Sequence, residues 1–480
     1  MGSVLLTQLQ LRAVEREAEA ALGAGVLMAR AGKAGADWIA RHWPDRKTRV
    51  LIVCGPGNNG GDGYACAAAL HALGYAPVVT AIAAPGTRDA AAVCAKWCAQ
   101  HEVLDRLPPP ETFDVIVDAL FGIGLSRPAS GVFADAIEWI NRQRAAGVVA
   151  LDCPSGLDAE RGAWVGNVPG VRAAATMTFI AGKPGLYTGA GVEASGEVFV
   201  ESLGCDPWVE RQENTLSLNA PSEFAAVLAP RGRDTHKGSF GRLAVVGGNV
   251  GMVGAALLAA RAALRLGAGR VFIDVIGAPE FRVDPLQPEL MLRALDSMER
   301  PDAIVIGCGL GRDTRAQAAL RAAAALGVPL VVDADALAML PVPNAAVITP
   351  HPLEAARLLG SSVAEVQADR VGAARRLSAQ TGTVVVLKGA GSIIADGERV
   401  WINPTGGPAL ATAGTGDVLA GMIGALIAQG HSPRVAPLAA VWLHGAAADA
   451  FKADVGLVAG DIAPLAAREL ARLKSEIKSI

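Results

Sequence analysis

The sequence predicts an α/β protein made of two unlike domains, residues 1–215 and 216–480. Three observations carry this. Short β-branched runs alternate with Ala-rich helical segments almost throughout. The strand runs are continuously apolar, as in parallel sheets covered on both faces. A polar stretch punctuated by Asp206, Pro207, Asn214, Pro221 and Pro230 interrupts the rhythm after Leu203 and reads as the link between domains. The two series share no motif order, which indicates fusion rather than duplication.

Composition narrows the class. Hydrophobic residues make up 51% of the chain and aromatics only 4%, so large cores must pack on Ala, Val, Leu and Ile. A formal charge of -3 argues against a broad nucleic-acid surface. Seven scattered cysteines with no CxxC pair suit reduced, mostly buried thiols in a cytoplasmic protein. Cys94 and Cys98, one helical turn apart, read as core packing. No secretory signal is visible, and no run of about 18 apolar residues predicts a membrane span. A homo-oligomer is expected.

The first element is a helix capped by Thr7, with Gln10 as capping-box partner and Leu6 and Leu11 at the staple positions. Val50–Val53 is the first clear strand. Runs 115–118 and 148–152 follow, and each ends in an aspartate. The apolar stretch from Gly251 to Gly269, with Arg261 and Arg265 on one face, reads as a helix lying on a sheet. The second strand series is 243–246, 304–306, 330–333, 346–348 and 384–387. Ligands of parallel sheets bind beyond the strands' carboxyl ends, where Asp118, Asp152 and the Gly57–Gly63 segment fall.

Gly57-Asn58-Asn59-Gly60-Gly61-Asp62-Gly63 reads as a turn entering a helix. Its glycines and asparagines permit left-handed backbone and close approach to a phosphate, helped by free N–H groups and the helix dipole. It is not the dinucleotide fingerprint, because no acidic residue ends a second strand about 20 residues later. Phe121-Gly122-Ile123-Gly124-Leu125 and Asp152-Cys153-Pro154-Ser155-Gly156-Leu157-Asp158 supply two further loops. Asn59, Asp118 and Ser155 offer hard oxygens suited to a weakly held cation. The competing reading is that Asp118 and Asp152 only cap the following turns.

Ala413-Gly414-Thr415-Gly416-Asp417 leads into an apolar helix, so its amides can stabilise a phosphoryl group in flight. Asp417 is then placed to accept a hydroxyl proton; the alternative is an N-capping aspartate. Lys388-Gly389-Ala390-Gly391-Ser392 suits nucleotide phosphates, although its lysine precedes the glycines, unlike a Walker A motif. His351, between Pro350 and Pro352, reads as a ligand contact in an extended loop. The loops Gly307–Gly311 and Gly247–Ala255 add further glycines near the sheet edge.

GNNGGDG, VDALFGIGL and LDCPSGLD together closely resemble the NAD(P)H-hydrate epimerase family over residues 1–215. The resemblance implies a Rossmann-like three-layer sandwich that interconverts R and S forms of NADHX and NADPHX. It further implies that Asn58, Asn59, Gly60, Gly61 and Asp62, with Gly122, Ile123, Gly124, Leu125 and Ser126, hold substrate. Asn59, Asp118 and Ser155 would bind potassium, and Asp152 would be the acid/base. Where that family usually carries acidic residues, this sequence has Gln8-Leu9-Gln10 and Met28-Ala29-Arg30. The segments HKGSFG (236–241), TPHPLE (349–354), KGAGS and AGTGD resemble, in order, the ADP/ATP-dependent NAD(P)H-hydrate dehydratases of the ribokinase-like superfamily. That implies a C-terminal ribokinase-like α/β domain. Lys388, Gly389, Ala390, Gly391, Ser392 and Gly416 would bind ADP or ATP with Mg2+, and Ala255, Gly309, His351 and Asp417 would face the coenzyme.

The resemblances imply a bifunctional coenzyme-repair enzyme. Two other classes compete with it. AGTGD alone allows a ribokinase-type small-molecule kinase with an N-terminal nucleotide-binding regulatory domain. The N-terminal fold alone allows a non-enzymatic binding platform. The combined motifs, with Asp152 and the cation-ligand set retained, disfavour both.

Overall fold

The computed structural model describes residues 4–109, 113–143 and 147–478. The chain divides into two compact units, residues 1–217 and 218–480.

The first unit is a three-layer sandwich around a six-stranded parallel sheet. Its strands are β1 (Val50–Cys54), β2 (Val78–Ala81), β3 (Val115–Ala119), β4 (Gly147–Leu151), β5 (Ala175–Phe179) and β6 (Glu197–Glu201). Their order is β2-β1-β3-β4-β5-β6, with every pairing parallel. The burial explains the unbroken apolar runs. Val50, Ile52 and Cys54 face one core with the helices Gln8–Leu22, Val26–His42 and Asn58–Ala72. Leu51 and Val53 face the other, with Ala136, Ile137 and Ile140 of the helix Val132–Arg142. Side chains alternate across a strand, so a two-sided core requires apolar residues at every position. The chain leaves β1 toward β2 on one side and reaches β3 on the other. That reversal opens a crevice at the carboxyl ends of β1 and β3.

The first helix forms as its sequence dictates. Thr7 Oγ1 accepts from the Gln10 N–H, and the Gln10 side chain accepts from the Thr7 N–H at 3.0 Å. Leu6 and Leu11 are both buried beneath it.

The glycine motif corrects its sequence reading. Asn58–Gly63 is not a loop but the first turns of the helix Asn58–Ala72. None of Gly57, Gly60, Gly61 or Gly63 has positive φ. Packing, not backbone freedom, explains the glycines. A Cβ on Gly60 would lie 1.9 Å from the Gly55 carbonyl oxygen, and one on Gly63 would lie 2.7 Å from Ala119 Cβ. Gly55 is equally confined, since its Cβ would lie 1.9 Å from the Leu120 oxygen.

The second unit holds a mixed sheet of ten strands. They are β7 (Leu216–Leu218), β8 (Arg242–Gly247), β9 (Arg270–Val275), β10 (Met291–Leu292), β11 (Ala303–Ile306), β12 (Leu330–Val332), β13 (Ala345–Ile348), β14 (Val384–Leu387), β15 (Ile393–Asp396) and β16 (Arg399–Ile402). The order is β10-β9-β8-β11-β12-β13-β14-β15-β16-β7. Pairings from β10 to β14 are parallel, whereas β14-β15-β16 is an antiparallel meander. The boundary between units falls within β7. Four helices, Val253–Arg265, Thr415–Ala428, Val435–Phe451 and Ala459–Lys478, supply the main core of this unit with Ala, Leu, Ile and Val. The helix Val253–Arg265 occupies the apolar stretch expected to lie on a sheet, and Arg261 pairs at 2.6 Å with the buried Asp284.

The boundary between units falls in the stretch read as the link, which also carries ordered elements: Asp206–Val209, β7, Pro221–Phe224 and Ala225–Leu228. Phe224, Val227 and Leu228 are buried, so these short elements are anchored by apolar contacts. Half-buried Cys94 packs against the core of the first unit, whereas Cys98 is exposed, so the core-packing reading is corrected for Cys98 alone. No described helix is long and apolar enough to cross a membrane.

The packing of Gly60 yields a contrast. Gly60→Ala should destabilise the protein by about 1–3 kcal/mol, because the displaced partner is backbone. Gly57→Ala, at a position with nothing within 4 Å of a Cβ, should cost less than about 1 kcal/mol. Urea unfolding followed by tryptophan fluorescence checks this; equal midpoints for the two variants would contradict the packing argument.

Candidate active sites

In the first unit, a cavity of about 370 Å³ opens at the carboxyl ends of β1, β3, β4 and β5. Of the residues singled out in the sequence, Asn58, Asn59, Asp62, Gly122, Ile123, Gly124, Leu125 and Asp152 line it. Gly60 and Gly61 lie behind it in the same helix, and exposed Ser126 is outside its lining.

Asp118 is buried in β3 and is bonded from three sides. Ser155 Oγ donates to it at 2.7 Å, the Ser155 N–H at 2.8 Å and the Leu120 N–H at 3.2 Å. Burial still pushes its carboxyl up to about 6, against those three hydrogen bonds. Buried Asn59 has neither Oδ1 nor Nδ2 in a hydrogen bond. An orphaned buried polar group costs about 1–3 kcal/mol. A monovalent cation would give Asn59 Oδ1 a partner, and the Asp118 carboxylate and Ser155 hydroxyl add hard oxygens, so the donor chemistry suits such an ion.

Asp152 follows β4 with φ +66°, a conformation that costs a non-glycine residue energy. Its Oδ2 accepts from the Ile123 N–H at 3.2 Å, and its Oδ1 lies 2.8 Å from Lys183 Nζ. Gly122 is required beside it, since a Cβ there would come within 2.6 Å of Oδ2. Glu15 and Lys183 also line the cavity and were not anticipated from sequence. Burial raises Glu15 above the usual carboxylate range. Burial, with the Asp152 and Glu15 charges, raises Asp62 well above it. Lys183 follows β5, a strand not recognised in the sequence; the available signal was a lysine in Gly182-Lys183-Pro184-Gly185 just beyond it. At the two departures from the epimerase pattern, Gln8 Nε2 donates to the Ile123 oxygen at 2.6 Å and Arg30 donates to the Leu203 oxygen at 2.5 Å.

In the second unit, a cavity of about 400 Å³ is lined by Asp333, His351, Glu354, Lys388, Gly389, Gly416 and Asp417 among others. It lies where β12, β13 and β14 end and the helix Thr415–Ala428 begins. Gly414 caps that helix with φ +89°, and Asp417 is its third residue rather than its cap. Burial, then the Asp333 charge, pushes Asp417 up to about 6. Asp333 is buried; its Oδ1 accepts from Thr349 Oγ1 at 2.6 Å and from Lys388 Nζ at 2.7 Å. Burial works against the Lys388 ammonium, but Asp333 and Glu354 hold it above its ordinary value. Ligand atoms of Cys308, Asp333 and Asp417 lie within 4.8 Å of one another.

His351 has extended backbone before a helix, as expected, and is also tied to that helix. It caps the helix Pro352–Leu359, with Nδ1 accepting from the Leu353 and Glu354 N–H groups at 3.1 and 3.4 Å. Only its Nε2 edge is left to face a ligand, 3.3 Å from Glu354 Oε1. Lys388–Ser392 is the turn of the antiparallel hairpin β14–β15, closed by Ser392 Oγ donating to the Gly389 oxygen at 3.0 Å. Ala390, Gly391 and Ser392 do not line the cavity, nor do Ala255 and Gly309. The last two adjoin each other, since a Cβ on Gly309 would be 3.1 Å from Ala255 Cβ, and Gly309 follows Cys308. Sequence reasoning saw Asp333 as a strand end but not as part of the site.

Comparison with known proteins accords with this division. Residues 24–185 match the family model described as YjeF-related protein N-terminus, and residues 243–472 the model described as NAD(P)H-hydrate dehydratase. The chain is 40% identical to the bifunctional NAD(P)H-hydrate repair enzyme of Escherichia coli, covering 93% of this chain and 89% of that one. It is 38% identical to the enzyme of that name from Coxiella burnetii, covering 96% and 98%. Among solved structures, the ADP/ATP-dependent NAD(P)H-hydrate dehydratase of Bacillus subtilis, co-crystallised with ATP/Mg2+, is 35% identical. It covers 53% of this chain and 98% of its own, with a TM-score of 0.49. This chain belongs to the family of bifunctional NAD(P)H-hydrate repair enzymes.

Proposed function

We propose that the chain repairs hydrated nicotinamide coenzyme at two sites, with residues 1–215 epimerising R- and S-NAD(P)HX and residues 216–480 dehydrating the S form. The observation that supports this best is that each unit gathers a carboxylate and an ion-paired lysine at the carboxyl ends of parallel strands. These are Asp152 with Lys183, and Asp417 with Lys388 and Asp333.

In the first site, Asn58–Asp62 and Gly122–Ser126 hold the substrate, and the N-terminus of the helix Asn58–Ala72 faces its phosphates. Inverting C6 of a carbinolamine requires a bond at C6 to open and reclose: Asp152 takes the C6 hydroxyl proton as the C6–N1 bond breaks to an aldehyde and an N1–H, and the proton returns when N1 adds to the other face. Asn59, Asp118 and Ser155 hold potassium, which supplies positive charge at three strand ends.

In the second site, Lys388–Ser392 and Gly416 bind the nucleotide, while Ala255, Gly309, His351 and Asp417 face the coenzyme. Asp417 takes the proton of the C6 hydroxyl as that oxygen attacks the terminal phosphoryl group of ADP or ATP. The amides at the start of the helix Thr415–Ala428 stabilise charge on the transferred group. Departure of phosphate from C6 with a proton from C5 restores the dihydronicotinamide. The Asp333–Asp417 pair fits Mg2+ as part of a nucleotide complex, in which one or two carboxylates suffice and phosphates complete the shell. When bound, the ion would offset phosphate charge. The chain works as a homo-oligomer in the cytoplasm, without nucleic acid or membrane partners.

Mixed R/S NADHX incubated with ADP, ATP or neither tests the whole reading. Free phosphate should appear with absorbance at the NADH wavelength; a stable phosphorylated product would instead indicate a kinase.

Asp417→Asn should lower dehydration by about two to four decades while nucleotide binding persists. In the unaltered enzyme, a base pushed up to about 6 is ionised above that pH. The dehydration rate should therefore rise through pH 6 and level off, a limb absent in the variant. Retention of a tenth of the activity would count against Asp417.

Asp152→Ala should spare S-NADHX turnover and abolish accelerated use of the R form. Loss of both would mean that the sites depend on each other.

Epimerisation should respond to potassium, and Asp118→Ala should weaken both ion and substrate binding. If Asp118 only caps the turn after β3, the variant loses stability but keeps its potassium response.

A further inference from the structure

Lys183 is 1% exposed, and its ammonium has three acceptors: Asp152 Oδ1 at 2.8 Å, Thr178 Oγ1 at 2.6 Å and the Phe179 oxygen at 3.1 Å. An ammonium has three donors, so this set fixes it completely. Thr178 and Phe179 belong to β5, so the charge is anchored to the sheet rather than to a loop. Ile180, just beyond, has φ +71°, and Asp152 has φ +66°. One strained non-glycine residue is thus a member of the ion pair and another lies three residues before its lysine, as is common where geometry serves function.

Stability alone is a poor reason for this arrangement. Replacing a buried ion pair with apolar residues is often neutral or stabilising. The pair also opens on the cavity, since both residues line it and the Asp152 side chain is 15% exposed. The other charged groups facing that space are Arg12, Glu15, Glu19, Asp62 and Asp89. Burial raises Glu15 and Asp62. Of the carboxylates lining the cavity, Asp152 is the one in an ion pair with a buried cation.

We propose that Lys183 is a positioning residue for the epimerase reaction: its fixed ammonium orients the Asp152 carboxylate and makes it, rather than Asp62 or Glu15, the acceptor of the C6 hydroxyl proton. This rests on the reading of the cavity as the epimerase site. In that exchange the C6–N1 bond opens and recloses while Asp152 takes the hydroxyl proton and returns it.

The test uses the full-length enzyme and measures R/S exchange of NADHX across pH. ADP-dependent dehydration of the S form in the same preparation serves as a control for intact protein. Lys183→Met should lower kcat for exchange by about a hundredfold, with a smaller change in KM. The acid limb of its pH–rate profile should move to higher pH, because a buried carboxylate without its cation holds a proton more tightly. Lys183→Arg, which keeps the charge, should recover part of the rate. S-NADHX dehydration should be unchanged in both. Wild-type kcat and an unmoved pH profile in Lys183→Met would overturn the proposal. Should that variant not fold, Thr178→Val removes one anchor of the ammonium and should lower exchange several-fold with the same profile shift; no change would overturn the proposal equally. An unaltered enzyme that failed to exchange the two forms would overturn the epimerase reading itself, which is a distinguishable result.

Discussion

Both units pair a lysine with an aspartate where parallel strands end, with one partner buried in each: Lys183 on Asp152, and Lys388 on Asp333, where the aspartate is the buried one. A charge taken out of water is costly unless it is paired and hydrogen-bonded, and both pairs meet that condition through a threonine hydroxyl, Thr178 or Thr349. The pairs do different work. In the first unit the paired carboxylate is itself the proposed base. In the second the paired carboxylate is Asp333, and the proposed base, Asp417, is left to feel it as a like charge. That repulsion, added to burial, brings Asp417 near 6, close to the range in which a general base works best at neutral pH.

The pairs depend on the sheets. Both faces are covered, so strand side chains are committed to the two cores. Polar groups can gather only where strands stop. In the first unit the β1/β3 reversal keeps that place open, and the glycines decide how near the chain can come. With a Cβ, Gly55 would meet the Leu120 oxygen and Gly60 would meet Gly55. Without these contacts, the helix start at Asn58 could not sit directly over the end of β1.

Much of this was legible in the sequence, because it was local. Strand runs, the Thr7–Gln10 box, the glycine segments and the strand-end aspartates all announce themselves within a few residues. The missed parts are pairings across sequence. Lys183 lies 31 residues beyond Asp152 and follows β5, whose Thr176 and Thr178 break the apolar run used to recognise strands. Asp333 meets Lys388 across 55 residues. That Lys388–Ser392 also forms the β14–β15 hairpin turn was not legible, because glycines serve hairpins and phosphate sites alike and only the antiparallel pairing shows the hairpin. The Asn58–Gly63 glycines were assigned to turn geometry for the same reason, although they answer to packing.

On the proposed reading each site holds an anionic substrate beside an anionic base, and that conflict explains why the features occur together. Phosphates and a carboxylate in one low-dielectric cavity repel, and each would push the other toward protonation or departure. A helix N-terminus offsets the phosphates with N–H groups that carry no mobile charge, and a glycine start keeps those groups uncovered. An ion-paired lysine acts at the other end, on the carboxylate side, where a surface cation would be screened by water and salt. The lysine is held by the sheet and the amides by the helix, so positive charge is present at both ends before substrate arrives. In such an arrangement little reorganisation accompanies the proton transfer, which is where preorganised charge is most effective.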